Sequence, residues 1–329
     1  MDQLNEDNWD YAGRDLVVTG ATGLYGQELV RRLLDKGARV RTVSRHPLAS
    51  GDFGGSGRVT HFAGDLMDRA FADRVMAGAW GLFHFAGLRG SVGIQHSKAA
   101  SLLHDNTLIC FNSLDAARHA GLEKILYVST VTVYPPLAEY HEDLMWSALP
   151  SPSVEFVAWS KRMAEKLIDA YKVQYGMENI AVVRPVNTFG PYDDFDPETA
   201  LVVPALIKRA VEGENPFVVW GDGTAVRDFL YVSDAIDGIL QAFEKGCGAG
   251  PINLGSGNGY SIREIVEAVC AATGNTPEIR WDSSKPSGDK SKIANIDRAR
   301  KLLGFEPKIP IKEGIEKTVK WYLENRDRK

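Results

Sequence analysis

Apolar and polar positions along the first 185 residues switch repeatedly between two periods. Short, nearly unbroken apolar runs predict buried strands at Asp15–Thr19, Arg39–Ser44, Val59–Ala63, Gly81–Phe85, Ile125–Ser129 and Ile180–Arg184. Between them apolar residues recur at helical spacing, as at Leu29, Val30, Leu33 and Leu34. Such stripes predict helices after the first strand, around Arg69–Ala77, through Asn106 to His119, and over Val157–Tyr175. Strand and helix in alternation argue for an α/β fold, a doubly wound parallel sheet of Rossmann type with ligands at its strand C-termini. Loops are expected at the glycine-rich Ser50–Gly57 and the polar Leu88–Ser97, with an irregular segment containing Glu142, Asp143 and Pro150. Residues 1–12 are polar and acidic and read as a frayed leader.

From Pro185 onward the pattern loosens. A loop over Asn187–Thr199, a helix Val203–Glu212, a strand Phe217–Trp220 and a glycine turn follow in quick succession. Another helix begins near Val232. The last stretch holds a helix Ile262–Thr273, a strand Glu278–Trp281, a charged loop Ser283–Lys292, and helices near Arg298–Leu303 and Ile311–Asn325. The expected division is a first domain from 13–186 and 229–252, and a smaller α/β domain from 187–228 and 253–329.

Composition narrows the class. An apolar content of 44% and a charged content of 25% over 329 residues suit a globular chain with a real core. The net charge of −5 argues against a nucleic-acid partner. No run approaches the roughly 18 apolar residues of a membrane span, and there is no signal-peptide core. Cys110, Cys247 and Cys270 lie far apart without metal-ligand spacing, so they read as reduced packing residues of a cytoplasmic protein that holds no metal.

The first strand runs straight into three glycines spaced three apart, Gly20, Gly23 and Gly26, and a helix follows. In a dinucleotide cradle the first glycine makes the tight turn and the second admits a pyrophosphate to backbone N–H groups. The third lets the helix pack against the strand. Thr22, Leu24 and Tyr25 lie within the same turn. A glycine turn can also be purely structural, but the strand before and the helix after favour the cradle. The second strand ends in Ser44-Arg45-His46, where an acidic residue would bind the ribose hydroxyls of NAD(H). Serine and arginine suit a 2′-phosphate, so NADP(H) is favoured and NAD(H) stays possible. The alternative is that Arg45 merely opens a loop.

The ordered motifs TGATGLYG (19–26), GDL (64–66), HFAG (84–87), VSTVTVYP (128–135), WSKRMAE (159–165), RPVNTFGPYD (184–193), WGDGTAVRDFLYVSD (220–234) and INLGSG (252–257) cover almost the whole chain. Each is weak alone; in this order they are strong. The sequence resembles the extended short-chain dehydrogenase/reductase family, the nucleotide-sugar epimerases, dehydratases and reductases. Its pattern is most similar to enzymes of GDP-sugars, of the GDP-fucose synthase and GDP-mannose 3,5-epimerase type. The resemblance implies that Asp65 and Leu66 contact the adenine, and that Phe85, Ala86 and Gly87 face the cofactor. It implies a nucleotide-diphosphate sugar as substrate, held by Asn187, Lys208, Arg227, Lys285 and Lys292, with Val203, Pro204 and Trp220 near the base. Lys292 stands where arginine is usual, and lysine gives charge without a bidentate fork. A homodimer through the helix before Gly121 and the helix carrying Lys161 is also implied.

The family's chemistry uses a Ser/Thr–Tyr–Lys set, in which the lysine lowers the tyrosine pKa from about 10 toward neutrality. By the WSK motif the lysine is Lys161, and the hydroxyl is Thr130. The tyrosine should stand one helical turn before the lysine. That position is Val157. The cysteine and histidine of GDP-fucose synthase correspond to Thr132 and Tyr192, neither a good base at neutral pH. Three readings remain open. In the first, hydride transfer at the sugar uses another proton carrier: Lys161, Thr130 through water, Tyr134, Tyr192, Glu142 or His141. The second is non-redox acid–base work on an oxidised sugar, and the third is binding without turnover.

Overall fold

The computed structural model describes residues 9–48, 53, 57–89, 92–285 and 289–326. Its centre is a parallel sheet of seven strands: β1 (Asp15–Thr19), β2 (Arg39–Ser44), β3 (Val59–Ala63), β4 (Gly81–His84), β5 (Lys124–Val128), β7 (Ile180–Pro185) and β12 (Pro251–Leu254). The spatial order is β12-β7-β5-β4-β1-β2-β3. Sequence order reverses between β1 and β4, which opens a crevice at their C-terminal ends.

Side chains alternate across the sheet, as the strand period requires. Leu16, Val18, Phe83, Leu126 and Val128 enter one buried cluster. Val17, Leu82, Ile125 and Tyr127 enter another. The first layer is covered by α1 (Leu24–Asp35) packed on α7 (Val232–Lys245). The second is covered by α2 (Arg69–Met76), α4 (Ala99–His119) and α5 (Glu155–Tyr175). Local chemistry sets the helix ends. The Asp68 carboxylate caps α2 through the N–H groups of Ala70 and Phe71, and Gly176 ends α5 in the left-handed region.

The remaining elements stand beyond β7. A four-stranded sheet has the order β13 (Tyr260–Ser261), β10 (Val226–Arg227), β15 (Ser291–Ala294), β6 (Glu139–Tyr140). Two pairs accompany it, β8 (Asn187–Phe189) with β11 (Phe229–Tyr231), and β9 (Phe217–Trp220) with β14 (Ile279–Asp282). The helices α6 (Val202–Val211), α8 (Ile262–Thr273) and α10 (Ile311–Asn325) pack together, and α9 (Asp297–Leu303) packs on α7. Among the described residues no helix is long and apolar enough to cross a membrane.

Four expectations need correction. Residues 9–12 are not frayed: Tyr11 is buried and donates to Glu244, and Trp9 packs on Trp80 and Phe243. The polar stretch expected as a loop carries the short helix α3 (Val92–Ser97), packed near the start of α5. The irregular segment contributes β6, and the end of the charged loop is β15. The Ser50–Gly57 loop lies outside the described residues except Phe53 and Gly57.

Candidate active site

The crevice between β1 and β4 is lined by the glycine turn. Gly20 has φ +67, and a Cβ there would meet Ala86 N at 3.1 Å. A Cβ on Gly26 would fall 2.4 Å from both Ala21 Cα and the Gly20 oxygen, so helix and strand approach only through glycine. Gly23 differs. Its nearest neighbour to a Cβ is the Gly20 oxygen at 3.5 Å, an ordinary contact. The protein itself does not demand glycine there. A side chain would instead fill space above the α1 N-terminus, which has no side-chain cap and no acidic residue in its first turn. The N–H groups of that first turn and the helix dipole fit a pyrophosphate, with Thr22 exposed and Leu24 buried beside them.

Thr19 ties the two strand ends together. Its hydroxyl oxygen accepts from Phe85 N and Ala86 N, both at 3.1 Å, and lies 2.9 Å from His84 Nδ1. With its acceptor sites filled, Thr19 donates to Nδ1, so His84 carries its proton on Nε2. Burial, then the charge of Lys161, pushes the His84 pKa down to about 3, so the ring stays neutral. Asn106 clamps the next turn, accepting from Leu88 N at 2.6 Å and donating to Leu88 O at 3.0 Å. A Cβ on Gly87 beside it would lie 3.1 Å from Asn106 Oδ1, a tight contact. Sequence reading missed Thr19 and Asn106, whose partners are remote in the chain. The HFAG motif was the only signal of His84.

At the end of β2, Ser44 donates to His46 O at 2.6 Å, and Arg45 is exposed. Asp65 accepts from Met67 N at 2.9 Å, and Leu66 is buried under α4 through Asn112, which donates to its carbonyl. Tyr25 leans on Phe85 and donates to Thr188 Oγ1 at 2.8 Å. Burial raises its pKa to about 12, so the phenol stays protonated.

Ser129 and Thr130 directly follow β5. Lys161 Nζ donates to Val128 O at 3.0 Å and stands 5.0 Å over the Tyr127 ring. Thr130 Oγ1 accepts from Thr132 N and from the Thr132 hydroxyl, each at 3.2 Å. Val157 is half-buried one turn before Lys161. Beneath these groups lies a closed ionic network. Ser129 Oγ donates to Glu165 at 2.5 Å, and Arg184 grips both Glu165 oxygens at 3.0 and 2.5 Å. Arg184 also donates to the Tyr134 hydroxyl at 2.7 Å and to Glu142 O at 2.9 Å.

That network engages several proton-carrier candidates elsewhere. Tyr134 is buried and donates to Asn253 at 2.7 Å, and burial raises its pKa above the usual phenol range. The Glu142 carboxylate is buried and accepts from Asn253 N at 3.0 Å. His141 is exposed, 3.3 Å from Glu139. Tyr192, with φ +64, packs against Trp321 and the Arg31 guanidinium rather than beside Thr130 in the described contacts.

In the four-stranded sheet, Arg227 and Lys292 are partners on the paired strands β10 and β15. Asn187 joins them by donating to Asp228 O at 3.1 Å. Lys292 is paired with Asp289 at 2.9 Å. Trp220 is 54% exposed, with Lys285 Nζ 5.9 Å from its ring centre. Val203 and Pro204 are buried on α6, and Lys208 pairs with Glu212 on the same helix.

A parallel sheet with a glycine cradle at its switch point, and a lysine and a hydroxyl at the C-terminal end of β5, defines a Rossmann-type dinucleotide enzyme. The family model described as NAD dependent epimerase/dehydratase family matches residues 16–255. The chain is 32% identical over 320 residues to "Probable GDP-L-fucose synthase 1" of Oryza sativa subsp. japonica, covering 95% of this chain and 93% of that protein. It is 29% identical over 327 residues to dTDP-4-dehydro-6-deoxy-D-allose reductase of Streptomyces bikiniensis, covering 97% and 98%. Among solved structures, the UDP-glucose 4-epimerase of Thermus thermophilus in complex with NAD superposes with a TM-score of 0.81 at 26% identity, covering 96% of this chain and 100% of that one. The chain belongs to the NAD dependent epimerase/dehydratase family.

Proposed function

We propose that the chain is an NADP(H)-preferring epimerase or reductase of a nucleotide-diphosphate sugar, a GDP-sugar, working at a 4-keto or 4-hydroxy carbon. The nicotinamide, when bound, supplies or accepts the hydride. The observation that carries the reading is Lys161 held at the end of β5 beside Thr130, with hydrocarbon at Val157 where the family phenol is expected. A group other than that phenol therefore moves the proton. Thr22, Gly23, Leu24 and Tyr25 would hold the pyrophosphate end, and Ser44 and Arg45 the 2′-phosphate. Asp65 and Leu66 would hold the adenine. Asn187, Arg227 and Lys292 would take the substrate diphosphate, with Lys285 and Trp220 at its nucleoside end.

In this reading residues 13–186 and 229–252 serve the dinucleotide, and 187–228 and 253–329 the sugar nucleotide. A homodimer through α4 and α5 fits the exposed Phe156, Met163, Val173 and Tyr175 on α5. A cytoplasmic enzyme is the matching location. The relatives named as GDP-L-fucose synthase and dTDP-sugar reductase support this substrate class.

The test is incubation of purified protein and NADPH with GDP-, dTDP- and UDP-linked 4-keto sugars, following nicotinamide absorbance and product stereochemistry. Oxidation of NADPH with the GDP-sugar is the expected outcome. Proton exchange at the sugar without cofactor oxidation would instead establish non-redox epimerisation. Tight binding of both ligands with neither reaction would make the protein a binder.

A further inference from the structure

We infer that Thr132 is a positioning residue that feeds protons to Thr130, and that these two hydroxyls form the route that takes the place of the absent phenol. The inference rests on the reading of the chain as a hydride-transfer enzyme for nucleotide sugars. Thr130 caps the short turn Val131–Val133 in extended backbone, so its side chain folds back over that turn. Its oxygen accepts twice from one residue, from Thr132 N and from the Thr132 hydroxyl, each at 3.2 Å. A hydroxyl has two acceptor sites and one proton. With both acceptor sites filled, Thr130 can only donate, and the group it serves must be an acceptor. A sugar carbonyl oxygen at the end of β5 is such a group.

Three other polar groups near this strand end have partners of their own. Tyr134 is bound to Asn253 and Arg184, Glu142 to Asn253 N, and Lys161 to Val128 O. Thr132 is half-buried, which leaves it a path to water.

The step balances without a further reagent. In the direction of reduction, hydride adds to the carbonyl carbon, and the C=O π pair becomes an O–H bond by taking the Thr130 proton. The Thr130 oxygen takes the Thr132 proton, and Thr132 takes one from water. One hydride and one proton are added across the carbonyl, and the hydroxide left behind is neutralised by bulk buffer. The transfers are concerted, so neither threonine exists as a free alkoxide. Oxidation runs the same chain backwards.

The test compares Thr132→Val, which keeps the shape, with Thr132→Ser, which keeps the hydroxyl. Single-turnover rates, binding of NADPH and sugar nucleotide, and melting temperature are measured for each. The expected result is a loss of roughly 10- to 100-fold in rate for Thr132→Val, with binding and melting unchanged. Thr132→Ser should restore the rate. The wild-type rate should bow when plotted against deuterium fraction, because three protons move together. In a Val157→Tyr background the same Thr132→Val change should have little effect, since the phenol bypasses the relay. Equal loss in both Thr132 variants, or loss in neither, overturns the relay while turnover by the wild type upholds the enzyme. Absence of hydride transfer in the wild type, with both ligands bound, overturns the relay and the functional reading together.

Discussion

Lys161 donates an ammonium N–H to the carbonyl oxygen of Val128 at 3.0 Å, so the lysine is held at the C-terminal end of β5. Val157 lies one turn before it on α5 and is half-buried, so a larger ring there is not forced into the closed core. In the proposed function, a phenol at this position places a proton donor beside a fixed cation, which lowers its pKa. Val157→Tyr should raise hydride transfer by about 10-fold or more. Unchanged turnover in a variant that still binds NADPH and sugar nucleotide would show that a missing acid is not what limits the wild type.

Cofactor choice should rest on the exposed Arg45 at the end of β2. A charge-assisted contact to a 2′-phosphate contributes about 1.5–3 kcal/mol, so Arg45→Ala should weaken NADPH binding by roughly ten- to a hundredfold. NADH carries no 2′-phosphate, and its affinity should not change. Titration of both cofactors by nicotinamide fluorescence checks this. Parallel weakening of both would mean that Arg45 supports the loop rather than the phosphate.

The buried pair of Glu165 and Arg184 holds Ser129 and Tyr134 in place, and through them the start of the turn that carries Thr130. Both side chains are nearly inaccessible. Removing one partner leaves an unpaired charge in the interior, so Glu165→Ala should cost about 3–5 kcal/mol. Urea unfolding measures the loss. Glu165→Gln should cost less, because the amide still fills the space and keeps an acceptor for Arg184 or Ser129.

What could be read from the chain alone follows the range of the forces involved. Gly20, Gly23 and Gly26 were legible because a strand, a turn and a helix are local events with steric rules. Lys161 and Val157 were singled out through the WSK motif of the family resemblance, and helical spacing then puts them one turn apart on α5. The Ser129–Glu165–Arg184–Tyr134–Asn253 network was not, because each link joins residues far apart in sequence and no local pattern encodes it. Glu142 and Tyr134 stood as proton carriers only while those partners were unseen. The packing of Trp9 and Tyr11 was hidden for the same reason, behind an acidic stretch that looked like a tail.

That N-terminal arm gives its own test. Tyr11 is 1% exposed, stacks on Phe243 and donates to Glu244 at 2.8 Å. Truncation of a buried aromatic side chain costs about 3–5 kcal/mol, so Tyr11→Ala should lower the melting temperature by several degrees. A variant lacking residues 1–8 keeps these contacts and should melt as the wild type does. If both melt alike, the arm does not anchor the fold.

Asp228 links stability to pH at the strand that carries Arg227. Its carboxylate accepts from Ser256 N, Ser256 Oγ, Gly257 N and Ala294 N, yet it is fully buried. Burial outweighs those hydrogen bonds and raises its pKa from 3.8 to about 6. The folded state therefore holds this proton more tightly than the unfolded chain. The resulting stability is fully present below about pH 3.8 and is lost as pH rises through about 6. A difference of roughly two pH units corresponds to about 3 kcal/mol. Asp228→Asn cannot titrate, and its amide opposes the Gly257 and Ala294 N–H groups, so it should be the less stable protein. Its deficit relative to the wild type should shrink by about 3 kcal/mol from acid to neutral pH. Urea midpoints for both proteins across that range measure the deficit directly. A deficit that stays constant, or grows with pH, would mean that folding does not raise the Asp228 pKa.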